Sequence, residues 1–329
     1  MSLYIEAVRQ VFPGKPTYTE KDIIDLYGKV YIVTGANTGV GELVARTLFS
    51  KHATVWLACR NEEKGRKAIR SISEAFPSSK GRLEFLSLDL SDLTTIKRSA
   101  EEFLSKEKRL DVLWNNAAVM MPPNGSKSVQ GYELQIGVNN LAPFLFTQLL
   151  TPLLIETAKT SPKGSVRVVW VSSSAAELMA PAKGGIDMDN LDYKKDTFYA
   201  YKYGVSKVGN YYHSTEYARQ HRKDGIVSIA LNPGNLETEL DRHCQHLYEK
   251  IFRRLTVYPA INGAYTELFA GLSDEVTLEL ESGDWVVPWG RITKIRPDLI
   301  DGSKPKDEGG QGIAQTFWEW TEEQVKPYL

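Results

Sequence analysis

From residue 30 onward, short apolar runs alternate with longer segments whose apolar positions recur every three or four residues. Residues 30–33 form a compact apolar run that predicts a buried strand. A glycine-rich turn follows, after which Leu43, Val44, Thr47 and Leu48 share one helical face. Residues 54–58 predict a second strand, and Asn61 is placed to cap a helix running toward Ala75. Residues 83–88 predict a third strand. Ser91 is the expected cap of the next helix, which carries Leu93, Ile96, Ala100, Phe103 and Leu104 on one side. Residues 112–114 belong to a fourth strand, followed by a long helix over residues 132–155, bent near Pro143. A fifth strand is expected at Val166–Val171. The connection after it, over residues 175–197, contains Pro181, Gly184 and Gly185. A helix then begins near Tyr203, a sixth strand follows at Ile226–Leu231, and a seventh at residues 285–287.

Strands alternating with helices imply an α/β fold: a parallel sheet covered on both faces and wound in both directions from its centre, the Rossmann arrangement. No repeat, linker or low-complexity stretch divides the chain. The expected organisation is an N-terminal leader over residues 1–27, broken by Pro13, Gly14 and Pro16, and one catalytic domain over residues 28–329 with substrate-side insertions at about 175–201 and 236–259.

Composition narrows the functional classes. A formal net charge of −1 over 329 residues gives no global field for nucleic acid or an anionic membrane. The two cysteines, Cys59 and Cys244, do not suggest a disulfide framework, so a reducing, cytoplasmic setting is expected. The most apolar stretch, residues 141–155, is interrupted by Pro143, Gln148 and Pro152 and is too short to span a bilayer. Glu6, Arg9 and Gln10 interrupt the first apolar run, which therefore does not read as a signal peptide; a helix over residues 4–12 packed on its own domain is expected, with an amphipathic helix lying on a surface as the alternative.

The candidate chemistry begins at the first turn, Gly35-Ala36-Asn37-Thr38-Gly39-Val40-Gly41, set between a strand and a helix. Glycines there let backbone approach a pyrophosphate held by helix N-terminal N–H groups. At the end of the second strand, a site for NAD usually carries an acid for the ribose 2′-hydroxyl. This chain has Arg60 and Asn61 instead, with Lys64 a turn later; Arg60 can bind a 2′-phosphate bidentately, which points to NADP(H). Tyr203 and Lys207, four residues apart, share one helical face.

Three motifs in order resemble the short-chain dehydrogenase/reductase family. They are Thr34-Gly35-x-x-x-Gly39-x-Gly41, Asn115-Asn116-Ala117-Ala118, and Tyr203-Gly204-Val205-Ser206-Lys207. Ala58-Cys59-Arg60-Asn61 and Val138-Asn139-Asn140-Leu141 make the chain most similar to the retinol dehydrogenase and WW-domain oxidoreductase group and to its fungal reductases, some of which serve secondary metabolism. The resemblance implies roles. Asp89, with the backbone around Leu90, would contact adenine. Asn116 and Ala117 would line the adenine ribose, with Ala118 replacing the commoner glycine. Asn139 would hold a proton-relay water, Ser173 would be the catalytic serine, and Tyr203 and Lys207 the proton donor and its partner. Pro233 and Gly234 would sit by the nicotinamide, with Leu236 and Thr238 gripping its carboxamide or the phosphates. Helices carrying Asn139 and Tyr203 often form the family's dimer, so a homodimer is compatible. Ser172, Ser173 and Ser174 are consecutive, which leaves the serine open by one position, and Glu42 stands where relatives often have lysine.

His243, Cys244 and His246 lack a second ligand group with zinc-like spacing, so no metal is expected. Phe317, Trp318 and Trp320 read as helix packing. Met120, Met121, Leu178, Met179, Leu240, Leu247, Ile251 and Phe252 sit in segments leaving the carboxyl ends of strands, where ligands bind in such folds. They favour a fairly large lipophilic small-molecule substrate bearing a ketone, aldehyde or alcohol. A C=C or C=N reductase and a non-catalytic NADP-binding scaffold are the alternatives.

Overall fold

A computed structural model describes residues 3–195, 197–237 and 257–329. Eight strands form one sheet in the order β3-β2-β1-β4-β5-β6-β7-β8. These are β1 Val30–Thr34, β2 Thr54–Cys59, β3 Arg82–Ser87, β4 Val112–Asn115, β5 Val166–Val171, β6 Ile226–Leu231, β7 Asp284–Val287 and β8 Arg291–Lys294. All neighbours pair parallel except β8, which runs antiparallel to β7 as the edge strand. The inner strands β1, β4, β5 and β6 are buried along their whole length, because helices cover both faces.

One face packs α2 (Gly39–Ser50), α3 (Glu62–Ala75) and α9 (Ala260–Leu272) against a core that includes Val33, Val44, Leu57, Ile72, Trp114 and Leu268. The other packs α4 (Leu93–Lys106), α6 (Ala142–Lys159) and α8 (Tyr199–His221) around Trp56, Phe103, Phe144, Trp170 and Tyr217. Helix α11 (Ile313–Val325) closes this second layer; Phe317 and Trp318 are buried there against His213 and Phe144. The remaining helices are α1 (Leu3–Val11), α5 (Leu134–Ile136), α7 (Ala175–Leu178) and α10 (Pro297–Ser303).

Strand order reverses between β1 and β4. Chain crossings leave that point in opposite directions, which opens a crevice at the carboxyl ends of the strands. Thr34 closes the floor of the crevice. Its hydroxyl donates to the Trp114 carbonyl at 3.2 Å and accepts the Asn116 and Ala117 N–H groups at 3.0 and 2.9 Å.

Three local expectations change. Asp92, not Ser91, caps α4, accepting the Thr94 N–H; a carboxylate outcompetes a hydroxyl for that N–H and suits the positive end of the helix. Helix α8 starts at Tyr199, a turn before Tyr203. The helix expected to bend at Pro143 is instead continuous from Leu134 to Lys159 and contains a π-helical turn at Gly137–Leu141. Pro143, the second residue of α6, directly follows that π turn. That continuity also makes the helix long and apolar enough to cross a membrane, contrary to the reading of its apolar stretch as too short. However, 61% of its most apolar window is buried inside the protein.

Candidate active site

The crevice is built from the turns that leave β1 to β6. After β1, Gly35 and Gly39 both adopt positive φ, +70° and +62°. Gly41 has no room for a side chain: a Cβ would lie 2.5 Å from Asn116 Nδ2 and 2.9 Å from the Gly35 carbonyl. Asn116 Nδ2 in turn donates to the Thr34 carbonyl at 2.7 Å, fixing the β1 turn against the β4 exit. Thr38, the N-cap of α2, makes no side-chain cap bond. The first N–H groups of α2 therefore face the crevice uncapped by Thr38, a donor set suited to a phosphate.

At the adjacent strand ends, Arg60, Asn61 and Lys64 are exposed. Asn61 accepts the Lys64 N–H at 2.8 Å and caps α3, so its side-chain oxygen is already engaged. Beyond β3, Asp89 Oδ1 accepts the Ser91 N–H and hydroxyl at 2.9 and 2.6 Å, and Leu90 is buried. Ala117 and Ala118 line the β4 exit half-buried.

The other half of the site is organised by α8. Gly204, next to Tyr203, lets α7 press onto this helix; a Cβ there would meet the Ala180 nitrogen at 2.6 Å. Ser172 Oγ donates to the Lys207 carbonyl at 2.7 Å, and Asn140 Nδ2 donates to the Ser206 carbonyl and to Asn210 Oδ1, both at 2.8 Å. Asn210 Nδ2 and Lys207 Nζ both donate to the Val171 carbonyl at 2.9 Å. These bonds fix α8 lengthwise against the end of β5. Tyr203 and Lys207 come together as expected, with Nζ 5.6 Å from the Tyr203 ring centre.

The three serines separate by environment. Ser172 is buried and committed to α8, whereas Ser173 is half-buried and its hydroxyl accepts the Ala175 N–H at 3.2 Å. Asn139 sits within the π turn. Its Oδ1 accepts the Val119 N–H at 2.8 Å, and its Nδ2 donates to the Val119 carbonyl at 2.9 Å and to Ser206 Oγ at 3.0 Å. It thus joins the β4 exit to α8. After β6, Gly234 takes φ +96° under Trp289, whose ring would lie 2.7 Å from a Cβ. Leu236 pairs with Tyr258 across the intervening chain. Thr238, His243, Cys244, His246, Leu240, Leu247, Ile251 and Phe252, and most of the expected 236–259 segment, lie outside the described residues.

Two participants escaped the sequence reading. Gln10 reaches the β6 exit from α1, and no local pattern signals it. Glu267, on α9, is fully buried, and neither carboxyl oxygen has a partner among the described residues. Its signal was available: one acid in the apolar stretch Ala264-Tyr265-Thr266-Glu267-Leu268-Phe269. Burial pushes the Glu267 carboxyl up to about 8, with Lys207 drawing it down. Burial likewise pulls the Lys207 ammonium down to about 7, with Glu267 holding it up. To the extent that the carboxyl is ionised while Lys207 titrates, it offsets that desolvation, which an amide at the same place does not. Glu267→Gln is therefore expected to lower the Lys207 titration midpoint below that of the wild type, read by NMR of the lysine side chain in cofactor-free protein. An unchanged midpoint would show that the two groups are not coupled.

The short chain dehydrogenase family model matches residues 29–185. A short-chain dehydrogenase/reductase of Phomopsis amygdali is 54% identical over 97% of this chain and 96% of that protein. The chain belongs to the short-chain dehydrogenase/reductase family. It is accordingly an oxidoreductase whose fold binds a nicotinamide cofactor. Among solved structures, an uncharacterized protein from Mycobacterium paratuberculosis is similar, with TM-score 0.68 and 27% identity over 94% of this chain and 97% of that one. The Pseudomonas aeruginosa RhlG/NADP active-site complex shares the fold, with TM-score 0.61 and 23% identity over 80% and 96% of the two chains. Of the motif residues, Gly35 to Gly41, Arg60, Asp89, Asn116, Ala117, Ser173, Pro233 and Gly234 follow the carboxyl ends of β1 to β6, Asn139, Tyr203 and Lys207 are carried on helices, and Thr238 lies outside the described residues.

Proposed function

We propose that this short-chain dehydrogenase/reductase is an NADP(H)-dependent carbonyl reductase or alcohol dehydrogenase for a fairly large lipophilic substrate. The observation that carries the reading is the Tyr203–Lys207 pair, held to Val171 at the end of β5, with a half-buried Ser173 two residues further along the chain. Gly35 and Gly41 pack the turn closely against Ala117 and Asn116, Gly39 supplies a positive φ, and the N-terminal N–H groups of α2 would offer donors to a dinucleotide pyrophosphate. Asn37, Thr38 and Val40 complete that turn. Arg60, with Lys64, would meet the 2′-phosphate; Asp89 and Leu90 the adenine; Asn116, Ala117 and Ala118 the ribose side; and Pro233, Gly234 and Leu236 the nicotinamide end. The bound cofactor supplies or accepts the hydride.

In this reading Ser173 holds the substrate oxygen by a hydrogen bond, and the Tyr203 hydroxyl donates a proton to it during reduction. A free tyrosine has a pKa of about 10. The Lys207 ammonium beside the ring favours phenolate and lowers that barrier to proton release. Asn139, through its bonds to Val119 and Ser206, keeps the β4 exit and α8 in register around the pair.

Leu178 and Met179, exposed on the segment directly after Ser173, support an apolar substrate. The test is a screen that follows NADPH absorbance over polycyclic, terpenoid and polyketide ketones, alongside small sugars and hydroxy acids. The apolar group is expected to give kcat/KM at least about 100-fold higher, since each buried methylene adds to binding. Comparable or better turnover of small polar substrates would overturn the substrate class. Absence of any NADPH-linked carbonyl turnover would overturn the reaction.

A further inference from the structure

Helix α1 is amphipathic, but it buries its polar side. Glu6 and Gln10 are buried while Ile5, Val8 and Phe12, spaced along one face, are about half exposed, at 49%, 59% and 57%. Among the described side chains the two most buried on this helix are thus polar, and specific polar bonds dock them. Glu6 Oε1 accepts from Arg291 Nη2 at 3.1 Å. Gln10 makes the connection that reaches the active site. Its Oε1 accepts from Asn232 Nδ2 at 2.9 Å, and its Nε2 donates to Glu177 Oε2 at 2.9 Å.

Both partners lie where the chain leaves a central strand, Asn232 in the turn after β6 and Glu177 on the short helix α7 after β5. Asn232 is the first residue after β6, and its Oδ1 accepts the Gly234 N–H at 3.0 Å, shaping the Pro233-Gly234 turn. Glu177 lies on α7, four residues after Ser173, and its Oε1 accepts the Arg296 N–H at 2.9 Å. Gln10 bridges Asn232 and Glu177 with one donor and one acceptor, each facing its complement. A flipped amide would set N–H₂ against N–H₂ and oxygen against carboxylate, so the side chain has one satisfactory orientation.

We infer that Gln10 is a positioning residue of the active site: it sets the Pro233-Gly234 turn relative to the Ser173 segment, and so the nicotinamide relative to the substrate oxygen. The inference rests on the nicotinamide-end assignment made above for Pro233 and Gly234. A residue with a purely local role in holding α1 would affect stability alone. A positioning residue acts on hydride transfer while the distant Arg60 end keeps its grip on the cofactor.

The experiment exploits the polarity of the bridge. Gln10→Glu sets a carboxylate against the Glu177 carboxylate and breaks the bridge. Gln10→Glu combined with Glu177→Gln rebuilds it with the donor moved to the other side. The amide introduced at position 177 would donate to the new carboxylate at position 10, which still accepts from Asn232. The amide oxygen at position 177 would still accept the Arg296 N–H. The full-length proteins are compared by two readouts. One is kcat for NADPH-linked ketone reduction with the best substrate of the screen. The other is the fluorescence spectrum of bound NADPH, which reports the nicotinamide surroundings and needs no turnover. Gln10→Glu is expected to lower kcat about 10- to 100-fold, with the NADPH Kd within about threefold of wild type and an altered fluorescence maximum. The double variant is expected to recover both readouts. If the spectrum shifts and recovers while no carbonyl compound is turned over by the wild type, the positioning role stands and the proposed reaction falls. If both readouts of Gln10→Glu match the wild type, or if the double variant is no better than the single one, Gln10 does not position the site.

Discussion

Replacing Tyr203 by Phe is expected to reduce kcat for carbonyl reduction by about 10²- to 10⁴-fold, the range that a positioned proton donor contributes. Tyr203 is nearly buried on α8, and the substitution keeps its ring, so the helix and the Lys207 contact should survive. NADPH affinity should remain close to that of the wild type, as measured by direct titration. The comparison with Lys207→Ala separates the two roles. Lys207 is itself buried, with its ammonium on the Val171 carbonyl, and truncating it leaves both that acceptor and Glu267 without their cation. Lys207→Ala should therefore lose turnover, cofactor affinity and thermal stability together. If Tyr203→Phe retains more than about a tenth of wild-type turnover, the proton comes from another group.

Arg60→Asp is expected to reverse the preference between NADPH and NADH. Arg60 is exposed just after β2, and among the described residues no side-chain hydrogen bond or ion pair engages it. A charge-assisted bond to a 2′-phosphate contributes about 1.5–3 kcal/mol, or roughly 10- to 150-fold in affinity, and the new carboxylate adds repulsion. NADPH binding should weaken by at least that range, whereas NADH, with a 2′-hydroxyl that Asp can accept from, should bind as well or better. Titration of both cofactors against both proteins decides the matter. Equal affinity of the wild type for NADPH and NADH would remove Arg60 from the cofactor site.

The sequence carried the fold wherever a local rule had no strong competitor. The apolar runs of β1, β2, β4, β5 and β6 are buried on both faces, so their composition alone identified them. The glycines at 35, 39 and 41 and the Tyr203–Lys207 spacing were legible because backbone approach and helical period impose them directly. What escaped depended on contacts distant in sequence. Ser91 and Asp92 both suit a helix cap, and Gln130 decides nothing in the local pattern, yet its side chain bonds both Asp92 and the Leu93 N–H. The edge strand β8 is short and only partly buried, so it lacks the apolar signature of the others. Gln10 meets partners 167 and 222 residues away, which no periodicity could reveal. Of the three serines, only their surroundings separate 172 from 173.

The π turn at Gly137–Leu141 makes this stretch of chain sensitive to length in a way that the surface loops are not. Such a turn holds one residue more than regular α-helix needs. Deleting a single residue there would let the helix relax to ordinary geometry with its two flanks nearly unmoved, but the residues inside the turn would shift by one place relative to their partners. The bonds from Asn139 to Val119 and Ser206 and from Asn140 to Ser206 and Asn210 all begin inside that turn. Loss of one residue would thus unseat several connections between the sheet and α8 at once, although no side chain named in the reaction had been altered. The reading frame of this helix is as much a part of the site as the residues that line it.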